Sequence, residues 1–133
     1  MLGPVAGELG LHHVALSVRD LDASVAWYRD VVGLREELRL ESGDRRSAIL
    51  RLPGSTQQLG LVEHQAAGAG FDPHTLGLDH VAFTVATGEE MEAWAARLHD
   101  RAVATSGVLE TPFGGMLHFT DPDGIALALF WNR

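Results

Sequence analysis

Leu11–Val18 reads LHHVALSV, and Leu78–Val85 reads LDHVAFTV. The echo sets His13 against His80, 67 positions further along the chain. The offset extends past these stretches: Val14 matches Val81, Ala15 matches Ala82, Val18 matches Val85, and Ala26-Trp27 match Ala93-Trp94. Two copies of so long a unit do not make a solenoid. They read as two similar modules, each opening on a strand that carries one imidazole. Side chains of a strand alternate between its faces. In the first copy one face holds His12, Val14, Leu16 and Val18, and the other holds His13, Ala15 and Ser17. In the second, Val81, Phe83 and Val85 oppose His80, Ala82 and Thr84. The bulky faces suit packing on a helix. The small faces leave a hollow beside an imidazole, which is a candidate site.

Working outward, each opening strand leads into a helical pattern. Asp20 or Asp22 is placed to cap the first helix, whose apolar residues Leu21, Val25, Tyr28 and Val32 share a face until Gly33 stops it. Arg35–Glu41 and Arg46–Leu52 read as a hairpin across Ser42-Gly43-Asp44, and Pro53-Gly54 turns the chain into a strand over Gln57–Glu63. In the second copy Glu89 and Glu90 mark a helix start, and Met91, Trp94, Ala95, Leu98 and Ala102 mark its apolar face. A short strand falls within Val103–Glu110. Strands over Met116–Thr120 and Ile125–Trp131 are joined by Asp121-Pro122-Asp123-Gly124, a strong turn signal. Each module is therefore strand, helix, three strands. Residues 1–10 form a leader, 11–63 the first module, 64–77 a Gly/Ala-rich linker, and 78–131 the second module.

A chain of 133 residues makes one domain or two half-size modules with a shared core. Its 46% hydrophobic content is that of a globular protein, and no apolar run reaches membrane-spanning length. The start MLGPVAGELG lacks the basic and apolar regions of a signal peptide. The absence of cysteine excludes disulfides, thiolate metal sites and a cysteine nucleophile, and the expected compartment is the cytoplasm. A formal net charge of -8 argues against nucleic acid as a partner and mildly favours neutral or cationic ligands.

The segments HHVALSVRDLDASVAWYRDVVGL, LDHVAFTV and DPDGIALALF resemble the vicinal-oxygen-chelate superfamily. That group includes glyoxalase I, extradiol dioxygenases, methylmalonyl-CoA epimerase, fosfomycin-resistance thiol transferases and bleomycin-binding proteins. The likeness runs from Leu11 to Trp131. It implies an α+β fold in which two βαβββ modules form an open, curled eight-stranded sheet around a cavity, often with a homodimer partner. In metal-dependent relatives, His13 and His80 match metal-ligand positions for Fe, Mn, Zn or Ni. The two positions that often supply carboxylates fall here on Gly60 and Ala128, so the facial triad is incomplete. If Leu117 and Phe119 face the helix, His118 faces the cavity, and the resemblance gives that position a substrate contact.

The expected catalytic groups are His118 and Glu63, moving a proton. The expected pocket includes Gly60, His64, Met116, Ala128 and Phe130. A three-imidazole site of His13, His80 and His118 is chemically able to hold Zn²⁺. His12, His74 and His99 read as surface residues; Trp27, Tyr28 and Trp94 read as core. Two functions fit. One is an enzyme of isomerase, lyase or dioxygenase type, acting on a substrate with adjacent oxygens through a divalent metal or through imidazoles alone. The other is a metal-free, ligand- or antibiotic-sequestering protein of the bleomycin-resistance type. No membrane partner is expected for either.

Overall fold

Alternation of small and bulky residues at the start of each module yields a strand with one face in the core and one in solvent. A computed structural model describes residues 7, 9–66 and 68–133. Residues 1–6 and 8 of the expected leader lie outside the described residues. The first module runs β1 (His13–Ser17), α1 (Leu21–Trp27), β2 (Arg35–Ser42), β3 (Arg45–Arg51) and β4 (Gln58–His64). The second runs β5 (Val81–Thr84), α2 (Gly88–Asp100), β6 (Leu109–Thr111), β7 (Gly114–Thr120) and β8 (Ala126–Asn132). The eight strands fall into two four-stranded sheets, ordered β1-β4-β3-β2 and β5-β8-β7-β6. In each, the opening strand lies at an edge, parallel to the last strand of its own module.

Local chemistry fixes the helices. Asp20 Oδ1 accepts the Ala23 N–H at 3.1 Å, and Glu63 Oε1 accepts the Leu21 N–H at 3.0 Å, so two amides at the start of α1 are satisfied. After Trp27 the helix widens into a π-helical turn, Tyr28–Val32, and ends at Gly33, whose φ of 85° only glycine adopts freely. At α2, Thr87 Oγ1 accepts the Glu90 N–H and Glu90 Oε2 accepts the Ala86 N–H, a reciprocal cap made by the Thr-x-x-Glu spacing. Ala102, expected on the α2 apolar face, lies beyond the C-cap Arg101 with φ 58° and is exposed. The second opening strand is shorter than its echo suggests: His80 precedes β5.

A single core joins the modules. Leu21, Val25, Tyr28, Leu50 and Leu61 from one and Met91, Leu98, Leu117, Leu127 and Leu129 from the other are all nearly inaccessible. Across the seam, Tyr28 donates its hydroxyl to Asp121 Oδ2 at 2.8 Å, and Trp27 packs on Phe119. Arg97 of α2 and its C-cap Arg101 donate to the carbonyls of Asp30 and Val31 in the π-helical turn. The helices therefore occupy one side of both sheets. The other side of each sheet, which carries His13, Ala15 and Ser17 or Ala82, Thr84 and His118, is open.

Candidate functional site on the open faces of the sheets

Strand register sets which side chains stand together on these faces. In the first sheet, Leu38, Ile49, Gly60 and Ala15 lie in one row across four strands, and Leu40, Ser47, Val62 and Ser17 in the next. A polar row adjoins them: Glu37 accepts from Arg51 Nε at 2.7 Å and from Gln58 Nε2 at 3.3 Å, and Gln58 pairs with His13. In the second sheet one row is Ala82, Ala128 and His118, and the next is Thr84, Phe130, Met116 and Leu109. Gly60 and Ala128 thus hold equivalent places, each beside an alanine of the opening strand.

His118 stands on the open face because Leu117 and Phe119, its neighbours in β7, are buried in the core. Its backbone is held on both sides by Ser106: the His118 N–H donates to Ser106 Oγ, and the Ser106 N–H donates to the His118 carbonyl, both at 2.9 Å. The imidazole Nε2 lies 3.3 Å from Met116 Sδ, and the ring meets Phe130 edge to face with centroids 6.4 Å apart. Ala128 lies on the same face yet is fully buried, next to His118 in register. Phe130 and Met116 are half-buried beside it.

Glu63 does not join this group. Alternation in β4 turns Gly60, Val62 and His64 to the open face and Leu59, Leu61 and Glu63 to the helices. Glu63 there caps α1 and pairs with Arg46 at 3.4 Å. It belongs to a charged network on the helix side, in which Arg39 and Arg46 hold the Asp22 carboxyl below the usual range through hydrogen bonds. The expectation that Glu63 moves a proton at the cavity is corrected: it faces away from His118. Glu36, Glu41 and Asp22 are spent on arginines away from the open face, whereas Glu37 on that face is matched by Arg51.

The three imidazoles do not converge within one chain. His13 Nδ1 lies 2.8 Å from Nδ1 of His12, and His80 Nδ1 lies 2.7 Å from Asp79 Oδ1. His13 and Ala82 share a hollow of about 170 Å³ at the seam between β1 and β5, but His80 and His118 do not line it. Among the described residues no group of three or more His, Asp or Glu side chains is close enough to hold a metal ion. Gly60 and Ala128 offer no side-chain oxygen. A carbon added at Gly60 would sit 3.2 Å from Ala15 Cβ, so even a side chain there must displace its neighbour. The residues present do not fit the metal centre that the sequence resemblance implies.

A larger cavity, about 430 Å³, lies elsewhere, and of the expected pocket residues His64 alone lines it. Sequence reasoning does not anticipate it, because one wall is the non-periodic connection between modules. The only cue is Phe71, a lone aromatic in a Gly/Ala-rich stretch.

A family model described as Glyoxalase/Bleomycin resistance protein/Dioxygenase superfamily matches residues 10–129. A solved glyoxylase/bleomycin resistance protein/dioxygenase domain from Frankia sp. EAN1pec is 35% identical with a TM-score of 0.89, covering 96% of this chain and 94% of that one. The protein YaeR of Escherichia coli (strain K12) is 28% identical over 124 residues, which is 90% of this chain and 94% of YaeR. At 19% identity, the fold is shared with a variant of the fosfomycin resistance protein FosX from Listeria monocytogenes, complexed with Mn(II) and 1S,2S-dihydroxypropylphosphonic acid. Its TM-score is 0.73, and the match covers 93% of this chain and 92% of that one.

Proposed function

The chain belongs to the glyoxalase/bleomycin resistance protein/dioxygenase superfamily, and from that premise we propose that it binds a small organic molecule on the open faces of its sheets without a resident metal ion. One observation carries this reading. Ala128 stands in register between Ala82 and His118, where metal-dependent relatives carry a carboxylate. The row presents the His118 imidazole and the Ala82 methyl group, with Ala128 buried between them. Such a surface recognises a ligand by shape and one polar contact, with Phe130 and Met116 as apolar neighbours.

The open faces also expose Leu38, Leu40 and Leu109, each 44–51% accessible. Pairing with a second copy would cover them and close the hollow, which supports a homodimer. No helix among the described residues is long and apolar enough to cross a membrane; together with the absence of cysteine this supports a cytoplasmic setting. On the open face Glu37 is paired with Arg51, so the local charge there does not favour a cationic drug over other ligands.

A second reading, a metal-free enzyme, is favoured by His118. Its imidazole is exposed on the open face and its backbone is fixed by Ser106, as a general acid–base requires. A thermal-shift screen of small organic molecules, run with and without EDTA, tests the main reading. Ligands should stabilise equally in both conditions and lose their effect in His118→Ala. Stabilisation that depends on added Mn²⁺, Ni²⁺ or Zn²⁺ contradicts it. Turnover of a stabilising ligand, abolished by His118→Gln, selects the enzyme.

A further inference from the structure

We infer that the 430 Å³ cavity at the module connection is a second binding site, built for a small carboxylic acid with an apolar body. The cavity lies between the C-terminal end of β1, the end of β4, the connection at residues 66 and 68–71, and the turn into β8. Its size falls within the roughly 300–1,000 Å³ of small-molecule pockets. It is distinct from the His118 row proposed above, since His13, His80, His118, Ala128 and Phe130 do not line it, although Ala15 and Ser17 of the first sheet's open face do.

The chemistry of the walls selects the ligand. Leu16, Val18 and Ile125 reach it from the core, and Phe71 and Leu78 form the outer apolar wall. Three side chains able to donate line the same space: the Ser17 hydroxyl, the His64 imidazole and the Arg19 guanidinium. One acid, Asp123, is also present, and it is already engaged. Its Oδ2 accepts the Arg19 N–H at 3.1 Å, and its Oδ1 lies 3.8 Å from Arg19 Nε. Asp123 is largely covered, at 16% side-chain exposure, whereas Arg19 is 64% exposed. The guanidinium presents more donors than one carboxylate uses, and its fork matches a second. The cavity therefore has unspent donors at one side and hydrocarbon at the other. A cationic or purely hydrogen-bond-donating ligand would offer no acceptor to the guanidinium donors that Asp123 does not use. An amphiphilic carboxylate satisfies both sides.

Calorimetric titration of the full chain with octanoate, octylamine and octanol tests the assignment, with amide chemical-shift mapping to locate binding. Octanoate is expected to bind at least about tenfold more tightly than octylamine, as a charge-assisted contact implies. Its shifts should centre on Ser17, Arg19, His64, Phe71 and Leu78. Arg19→Gln should weaken octanoate about tenfold and leave octanol unchanged, while Arg19→Lys should recover part of the loss. Leu78→Trp, at a position already 38% exposed, should fill the cavity and abolish octanoate binding in a protein with a native circular dichroism spectrum. Equal affinity for octanoate and octylamine overturns the proposal. So do failure of octanoate to bind, binding unchanged by both Arg19→Gln and Leu78→Trp, and shifts confined to His13, Ala82, His118 and Phe130.

Discussion

The phenol of Tyr28 is wholly buried and donates to Asp121, whose carboxylate in turn accepts the N–H groups of Asp123 and Ile125. Burial raises the pKa of Tyr28 well above its ordinary value of 10, and the neighbouring Asp121 charge adds to the shift. A group whose folded pKa is raised contributes its full stability below its unfolded pKa and loses it as pH climbs toward the folded value. Stability should therefore fall above about pH 10, by about 1.4 kcal/mol per pH unit for one proton. This chain isolates the effect: it has one tyrosine, no cysteine and no lysine to titrate in the same alkaline range. Tyr28→Phe should flatten that alkaline slope in urea unfolding. It should also cost about 1.5–3 kcal/mol at neutral pH, because a buried carboxylate loses its hydrogen-bond donor. Burial likewise raises the Asp121 pKa, against the opposing effect of the Tyr28 hydrogen bond. Its contribution is therefore greatest below about pH 4 and is lost as pH rises through the folded value. The helical spacing of Leu21, Val25, Tyr28 and Val32 makes the burial of Tyr28 legible in the sequence. Its partner is not, because Asp121 lies in a turn 93 residues away.

Strands and their edges decide what each side chain can do. Period-two alternation in β1 and β7 puts His13 and His118 on the helix-free faces, and this much is legible before any fold is known. The same alternation in β4 argues against Glu63 as a partner of His118, since it shares a face with Leu59 and Leu61. Glu63→Ala should destabilise the protein by about 1 kcal/mol through loss of the α1 cap, with open-face ligand affinity unchanged. Thermal unfolding and a binding isotherm on the same variant check both halves. His80 illustrates a limit of the echo. The repeat matches it to His13, but β5 begins only at Val81, and the side chain pairs with Asp79 instead. At β7, Gly114 has φ 146°, and an added carbon would sit 1.9 Å from the Trp131 carbonyl oxygen. Gly114→Ala should therefore cost at least about 3 kcal/mol, read from the urea midpoint.

For the whole molecule, the sequence implies paired modules, and the structure joins them through one helix-side core. The strands form two four-stranded sheets with β1 and β5 each at an edge, an order that no local pattern encodes. The cavity beside the connection escapes sequence reading for a similar reason: its walls come from β1, the module connection and the turn into β8, which are far apart in the chain. Covering of the open faces by a second copy makes a direct prediction. Light scattering should give a dimer, and Leu38→Glu combined with Leu109→Glu should give a folded monomer, since both leucines are about half exposed in the single chain. The central claim is that Gly60 and Ala128 leave no resident metal centre, in one chain or in a pair. Elemental analysis of untagged protein, purified without chelators and equilibrated with Mn²⁺, Ni²⁺ and Zn²⁺ before gel filtration, tests it most directly. The expected result is well below one metal ion per chain for every ion; retention of one ion per chain, lost in His13→Ala, would contradict the account.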